Sequence, residues 1–228
     1  MIWLISGQGI IPAFVVMEDI KLIIFDLDGT LVNAYQAITS SFNYTMRRLH
    51  YPAQGALTIR RAVGWGDKNL LKPFVKKKDL PLAASIYRRH HSSALIKESR
   101  LFPKAGKLLA YLKNKGYILA VASNRPTRFS WILIRHLKIN KCFDYVLCAD
   151  KLKRGKPYPE IINKIMRKFG VRPRETVYVG DMVIDAQAGR RAKVKTIIVT
   201  TGSSTKTEIN KENPCRIISN ISELLEIL

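Results

Sequence analysis

The sequence predicts an α/β fold, an open parallel sheet with helices on both faces, interrupted after its first strand by a helical insert. Three observations lead to this prediction. Residues 22–25 are four hydrophobic residues flanked by polar ones, a pattern typical of a short buried strand in a parallel sheet. From residue 101 onward, strand patterns and helical patterns alternate. Between residues 33 and 99, apolar residues instead recur every three or four positions, as along an amphipathic helix.

The length and the composition describe a globular protein that is unusually basic. A chain of 228 residues can bury a full core, as one domain or as one domain carrying an insert. Its 39 lysines and arginines exceed its 17 acids and give a formal net charge of +22, which favours anionic partners such as phosphorylated metabolites. The excess is scattered, without a basic tail, so nucleic-acid binding is not excluded but has no motif to support it.

The cysteines and the N-terminal residues indicate the cellular compartment of the protein. Cys142, Cys148 and Cys215 lack metal-ligand spacing, and this odd, sparse count predicts reduced thiols in a cytoplasmic protein. Residues 1–16 contain no charged residue, but glycines and a proline interrupt a run too short to span a bilayer, so we expect no membrane anchor. Met17 would be a natural start before the first strand. We therefore predict that residues 1–16 are a non-essential apolar extension.

The insert at residues 33–99 is predicted to be all helical. Apolar side chains from Ala34 to Leu49 recur at helical spacing, and prolines and glycines divide the rest into several helices. Trp65 stands between two glycines in this insert, which predicts a loop. Its side chain either faces a substrate or anchors the insert from a buried position.

Beyond the insert, helices and strands follow in pairs. We predict helices at 103–115, 126–138, 158–169 and 183–192, each followed by a strand, at 117–122, 143–147, 176–179 and 196–200. A last strand at 216–218 precedes a C-terminal helix, whose start is indicated by the capping-box pattern of Asn220 and Glu223.

Polar residues collect where these strands end. Asp26, Ser123 and Asp181 each stand at or just after the end of a predicted strand, and open parallel sheets bind ligands at the carboxyl ends of their strands. Asp28 follows closely, and Asp185 lies four residues after Asp181 at a helix start, so the last two can share one face. Clustered acids repel one another and an incoming phosphate. A hard divalent cation with oxygen ligands, Mg²⁺, resolves both problems.

Four segments resemble the motifs of the haloacid dehalogenase-like (HAD) phosphatases, in the expected order. They are DLDGT at 26–30, Ser123-Asn124, Lys156 in GKPYP, and GDMVID at 180–185. The resemblance implies a Rossmann-like core built from residues 17–32 and 100–228, with a helical cap formed by 33–99. Such a cap closes over the site, excludes water and selects the substrate.

The resemblance also implies roles for the first motif. Asp26 is expected to attack phosphorus and to form an aspartyl-phosphate that water later cleaves. Asp28 is expected to protonate the leaving alcohol and then to take a proton from the attacking water, helped by the negative charge of its acidic neighbours. Thr30 would orient Asp28.

The other motif residues would bind phosphate and metal. The substrate phosphate would be bound by Thr30, Ser123, Asn124 and Lys156, with the lysine neutralising charge. Mg²⁺ would be held by the Asp26 side chain, the Asp28 backbone carbonyl and Asp181, with Asp185 beside them. The histidines, at 50, 90, 91 and 136, have no metal-ligand spacing, and we expect them in packing or surface positions.

These features predict a Mg²⁺-dependent phosphatase of small phosphate monoesters, resembling the phosphoglycolate phosphatase-like branch. A sugar phosphomutase with a similar cap, a nucleotidase or a pyrophosphatase stay open as alternatives. A basic binding module without catalysis is a third class. Asn33, Arg125 and Met182 depart from residues common in the family, and they leave the specificity open rather than the type of reaction.

Overall fold

The computed structural model describes residues 19–228, so the predicted extension at residues 1–16 lies outside the described part. Its strands are β1 (Leu22–Phe25), β2 (Val32–Asn33), β3 (Arg100–Leu101), β4 (Ile118–Ser123), β5 (Tyr145–Cys148), β6 (Thr176–Gly180), β7 (Lys195–Val199) and β8 (Arg216–Ile218). Six of them form one sheet in the order β5-β4-β1-β6-β7-β8, and every neighbouring pair is parallel. The predicted fold class is confirmed.

Helices connect these strands. They are α1 (Tyr35–Arg48), α2 (Ala56–Ala62), α3 (Asp67–Leu71), α4 (Leu80–Glu98), α5 (Ala105–Asn114), α6 (Thr127–His136), α7 (Glu160–Phe169), α8 (Val183–Ala192) and α9 (Lys206–Asn210). The predicted C-terminal helix is a short 3₁₀-helix, Ile221–Glu226, and Glu223 accepts the backbone N–H of Asn220 as the capping pattern predicts. None of the helices within residues 19–228 is long and apolar enough to cross a membrane.

Alternate side chains of the central strand supply two separate cores, because successive strand residues point to opposite faces. Ile23 and Phe25 pack into a cluster that includes apolar residues of α5, α6 and the C-terminal 3₁₀-helix. Leu22 and Ile24 pack into a second cluster with α7 and α8. Since all four side chains are fully buried, β1 has a helical layer on each face and a fixed register.

The insert is joined to the sheet domain through a two-stranded antiparallel ribbon. Strand β2 enters it and β3 leaves it, with Val32 paired to Leu101 and Asn33 to Arg100. Helices α1 to α4 lie between them and enclose their own apolar cluster, which includes Phe42 and Met46. The long helices α1 and α4 also contribute to the first core through their ends near the sheet, by Ala37 and Leu95 among others.

Candidate active site

Asp26 follows β1 at the carboxyl edge of the sheet, where its backbone N–H donates to Val179 of β6 (2.9 Å). Its side chain is buried, and one carboxylate oxygen, Oδ1, lies 3.0 Å from Lys156 Nζ. Burial raises the pKa of Asp26 to about 7, and the charge of Lys156 opposes this rise. The carboxylate thus has a cation beside it in a site that water barely reaches.

Lys156 is shared between two acids. Its Nζ lies 2.7 Å from Asp185 Oδ1 as well as 3.0 Å from Asp26 Oδ1, and its side chain is 1% exposed. Burial alone would lower the pKa of Lys156, but the charges of Asp185 and Asp26 outweigh it and hold the pKa above its usual value. The ammonium group is therefore permanently charged at the floor of the site.

Asp185 is saturated by donors from the protein. Its Oδ1 also accepts the Tyr178 hydroxyl (2.6 Å), while its Oδ2 accepts the backbone N–H groups of Asp181 (3.2 Å) and Met182 (3.0 Å). Because both oxygens are engaged, this side chain holds the turn after β6 and the ammonium of Lys156 in place. Tyr178 was not singled out from the sequence.

Asp181 keeps one oxygen unpaired. Thr30 Oγ1 donates to Asp181 Oδ1 (2.9 Å), whereas Asp181 Oδ2 is buried and has no hydrogen-bond partner within residues 19–228. Burial, and then the charges of Asp185 and Asp26, raise the pKa of Asp181 well above its usual range. The prediction that Thr30 orients Asp28 is wrong, because its hydroxyl points to Asp181 instead.

The acidic cluster suits a hard cation. One carboxylate oxygen from each of Asp26, Asp181 and Asp185 can be chosen so that all lie within 4.8 Å of one another. Gly29 and Gly202 flank this cluster, and a Cβ on either would overlap the carboxylate of Asp181. Oxygen ligands, an unpaired buried carboxylate oxygen and side-chain-free backbone on both sides fit Mg²⁺.

Asp28 has a cation directly against it, although the sequence led us to expect only acidic neighbours. Arg125 donates two hydrogen bonds to the Asp28 carboxylate, from Nε to Oδ2 (2.7 Å) and from Nη2 to Oδ1 (2.6 Å). Arg125 is 8% exposed and follows Ser123-Asn124 at the end of β4. The sequence marked this residue only as a departure from the family pattern.

A hydrogen-bonded chain continues from Arg125 into the insert. Arg125 Nη1 donates to His91 Nε2 (2.8 Å), His91 Nδ1 lies 3.0 Å from Ser41 Oγ, and Ser41 Oγ donates to the carbonyl of Ala37 (2.7 Å). Burial and the charge of Arg125 lower the pKa of His91 well below 6.5, so the ring is neutral and Nε2 accepts. His91 is thus a packing residue, as expected, but one that contacts the site.

The other two motif residues at β4 serve the local architecture. Ser123 Oγ accepts the backbone N–H of Arg125 (3.2 Å). Asn124 accepts the N–H of Lys156 (2.8 Å) and donates to the carbonyls of Lys156 (3.0 Å) and Gly64 (2.8 Å), so it braces the lysine loop and the insert. The predicted phosphate contacts of both residues stay predictions.

A cavity opens between the sheet edge and the insert. From the sheet domain it is lined by Asp26, Asp28, Ser123, Asn124, Arg125, Pro126, Phe129, Lys156 and Met182. From the insert it is lined by Ile38, Val63, Gly64, Gly66, Asp67, Leu70, Tyr87 and His91. Both glycines beside Trp65 line it, but Trp65 does not and is 48% exposed, so neither reading of that side chain holds.

The insert is docked onto the loop after β7, residues 201–203, which we call the docking loop. Arg60 Nη2 donates to the carbonyls of Thr201 (2.8 Å) and Gly202 (2.9 Å), and Arg61 Nη1 donates to that of Ser203 (2.8 Å). The Arg60 guanidinium also lies 4.4 Å from the ring centre of Tyr35. These contacts join the insert to the sheet domain.

Known proteins resemble the chain over nearly its whole length. The profile of the haloacid dehalogenase-like hydrolases matches residues 23–199. A phosphoglycolate phosphatase of Haemophilus influenzae is 31% identical over 220 residues, with 91% of this chain and 98% of that protein covered. One from Aquifex aeolicus is 27% identical over 208 residues, with 91% and 96% covered.

A solved structure gives the same result. The crystal structure of a predicted phosphoglycolate phosphatase from Haemophilus somnus superposes with a TM-score of 0.87 at 27% identity, covering 92% of this chain and 99% of the other. The motif order, the fold and these similarities agree. The chain belongs to the haloacid dehalogenase-like hydrolase family, in its phosphoglycolate phosphatase-like branch.

Proposed function

We propose that this protein is a Mg²⁺-dependent phosphatase that hydrolyses a small phosphate monoester through an aspartyl-phosphate on Asp26. The observation that carries the proposal is the placement of Asp26 beside the ammonium of Lys156, next to the unpaired buried oxygen of Asp181. Relatives named phosphoglycolate phosphatase support a phosphoric monoester as substrate.

The chain's own residues carry the steps. Asp26 attacks phosphorus, and Lys156 stabilises charge on the nucleophile and on the phosphoryl oxygens. In its protonated form Asp28 gives a proton to the leaving alcohol, and the carboxylate that results later takes a proton from the water that cleaves the aspartyl-phosphate. Arg125 holds the Asp28 carboxylate in one orientation through its two hydrogen bonds.

The metal site would use the side chains of Asp26 and Asp181 and the backbone carbonyl of Asp28. Asp185 would support the site indirectly, because it accepts the backbone N–H groups of the turn that carries Asp181. When bound, Mg²⁺ screens the negative charges of the acids and of the phosphate from one another.

Residues 33–99 act as the cap in this proposal, and residues 17–32 with 100–228 act as the catalytic core. Apolar cap residues such as Ile38 and Leu70 line the cavity and would exclude water from the aspartyl-phosphate. The expected cytoplasmic location stays a prediction, and it fits the three cysteines, which are free thiols.

The test is a panel of phosphorylated metabolites, including phosphosugars and nucleotides, assayed for phosphate release with Mg²⁺ and with a chelator. We expect metal-dependent release from a small monoester, and an inert Asp26→Asn variant. The matched control is Asp19→Asn, which makes the same change at an exposed residue outside the cavity. Release that persists in the chelator, or a phosphosugar that is isomerised instead of hydrolysed, would contradict the proposal.

A further inference from the structure

The hydroxyl group of Tyr35 is buried, and it neither donates nor accepts a hydrogen bond within residues 19–228. Tyr35 is the first residue of α1, so this group comes from the insert and not from the sheet domain. The four sequence motifs and the proposed reaction give it no role. An unpaired buried hydroxyl destabilises a protein, whereas a bound ligand can supply the missing partner.

The space that this hydroxyl faces also borders the unpaired oxygen of Asp181. A Cβ on Gly29 would overlap Asp181 Oδ2, and it would lie 2.8 Å from the Tyr35 hydroxyl oxygen. Both atoms are thus next to one position, yet no hydrogen bond joins them. Gly29 directly follows Asp28, whose backbone carbonyl is the third oxygen expected to hold Mg²⁺. The hydroxyl therefore lies at the edge of the proposed metal site.

Other hydroxyl groups near the acidic cluster already have acceptors. Thr30 Oγ1 donates to Asp181 Oδ1 (2.9 Å), and the Tyr178 hydroxyl donates to Asp185 Oδ1 (2.6 Å). These two hydroxyls are therefore part of the protein's own hydrogen-bond network. The oxygen of Tyr35, by contrast, is still available to a ligand.

We propose that the Tyr35 oxygen accepts a hydrogen bond from a water molecule coordinated by Mg²⁺, so that the insert supports the metal site of the sheet domain. This inference rests on the proposed function, and it adds a residue of the insert to the proposed metal site. Mg²⁺ binds through few protein ligands and keeps several of its waters. A water bound to a cation is a strong hydrogen-bond donor, because the charge weakens its O–H bonds, and a phenolic oxygen can accept from it.

The Tyr35 ring is held in place from two sides. It packs against the apolar cluster of the insert, and the Arg60 guanidinium lies 4.4 Å from its centre. Arg60 also donates to the carbonyls of Thr201 and Gly202 in the docking loop. Gly202 borders the same carboxylate, since a Cβ on it would overlap Asp181 Oδ2. The hydroxyl is thus positioned beside this oxygen before any ligand binds.

The experiment measures Mg²⁺ binding by calorimetry, without substrate, in the wild-type protein, Tyr35→Phe and the control Tyr44→Phe. Phenylalanine keeps the ring and removes only the oxygen. Tyr44 lies on the same helix, is half-buried and stacks on His90 with 4.2 Å between ring centres, and it does not line the cavity. We expect Mg²⁺ to bind about 10- to 100-fold more weakly to Tyr35→Phe, the usual effect of losing a hydrogen bond to a metal ligand, and equally well to Tyr44→Phe and the wild-type protein.

Two results of this titration would overturn the inference. One is an equal Mg²⁺ affinity for the two tyrosine variants. The other is tighter binding by Tyr35→Phe, which would mean that the hydroxyl pairs with Asp181 and competes with the cation.

Urea unfolding in the presence of a chelator tests for a purely structural role. Tyr35→Phe should unfold at the same urea concentration as the wild-type protein or at a higher one, because the missing oxygen has no protein partner to lose. A lower midpoint would mean that the hydroxyl stabilises the metal-free protein, and it would overturn the inference.

The assay of phosphate release separates this inference from the proposed function. Metal-dependent hydrolysis together with equal Mg²⁺ affinities of the two variants would overturn the inference and leave the proposed function standing. Mg²⁺ affinity that depends on Tyr35, in a protein that hydrolyses no phosphate monoester, would support the inference and refute the proposed function. A wild-type protein that does not bind Mg²⁺ would refute both.

Discussion

Replacing Lys156 by methionine removes the ammonium group that lies between two buried acids. Its ammonium lies 3.0 Å from Asp26 and 2.7 Å from Asp185, and the three side chains are between 0 and 10% exposed. Breaking a buried ion pair leaves uncompensated charge and destabilises by about 3–5 kcal/mol. For a chain of this size, that corresponds to a fall in Tm of about 6–20 °C.

The matched control is Lys164→Met, the same substitution in a surface ion pair. Lys164 Nζ lies 3.2 Å from Glu160 and its side chain is 42% exposed, so we expect a change within about 0.5 kcal/mol. Urea unfolding followed by circular dichroism, with a chelator present, measures both variants. Equal free energies of unfolding for the two would refute the reasoning.

A double variant tests whether unpaired charge causes the loss of stability in Lys156→Met. If the unpaired carboxylates cause the loss, Asp185→Asn should recover about 1–3 kcal/mol in the Lys156→Met background, since one uncompensated charge is gone. A strictly additive result would mean that the lost stability does not come from the unpaired charge of Asp185.

Three further predictions concern other parts of the molecule. Gly202→Ala places a Cβ into the Asp181 carboxylate, so we expect calorimetry to show Mg²⁺ affinity lowered by more than about tenfold, while Gly55→Ala, with no atom within 4 Å of its Cβ, leaves it unchanged. Arg60→Ala removes two charged hydrogen bonds to the docking loop, so hydrogen exchange in α2 should rise by about tenfold or more, and unchanged exchange would contradict the docking role. Below pH 6.5 the unfolded chain protonates His91 and the folded chain does not, so the contribution of His91 to the free energy of unfolding falls by up to about 1.4 kcal/mol per pH unit. Relative to the wild-type protein, His91→Asn should therefore lose less stability, or gain more, as the pH falls from about 7 to 5.5, which urea titrations measure.

The sheet and the acidic cluster could be predicted because they follow from local patterns and one geometric rule. Short apolar runs marked β1 and β6, and Asp26 and Asp181 follow them directly. Parallel neighbours place their carboxyl ends at one edge, so residues distant in the sequence meet there. Predicted element bounds differ from those observed by a residue or two, as expected where helices and strands fray.

The contacts of Thr30, Arg125 and His91 could not be predicted in the same way. Thr30 lies near Asp28 in the sequence, but the folded turn at Gly29 directs its hydroxyl to Asp181. Arg125 and His91 meet only because α4 of the insert docks over the end of β4, a tertiary contact that no spacing encodes. Trp65 shows the same limit, since its flanking glycines reach the cavity and its own ring does not.

The ribbon of β2 and β3 brings the two ends of the insert together. Val32 and Leu101 are paired across it, so the chain departs from the sheet domain and returns at nearly the same point. An exchanged insert can therefore leave the spacing of the sheet undisturbed, provided that its ends supply core side chains in the places of Ala37 and Leu95. We predict that a homologous insert transplanted at this junction transfers its own substrate preference to an unchanged sheet domain.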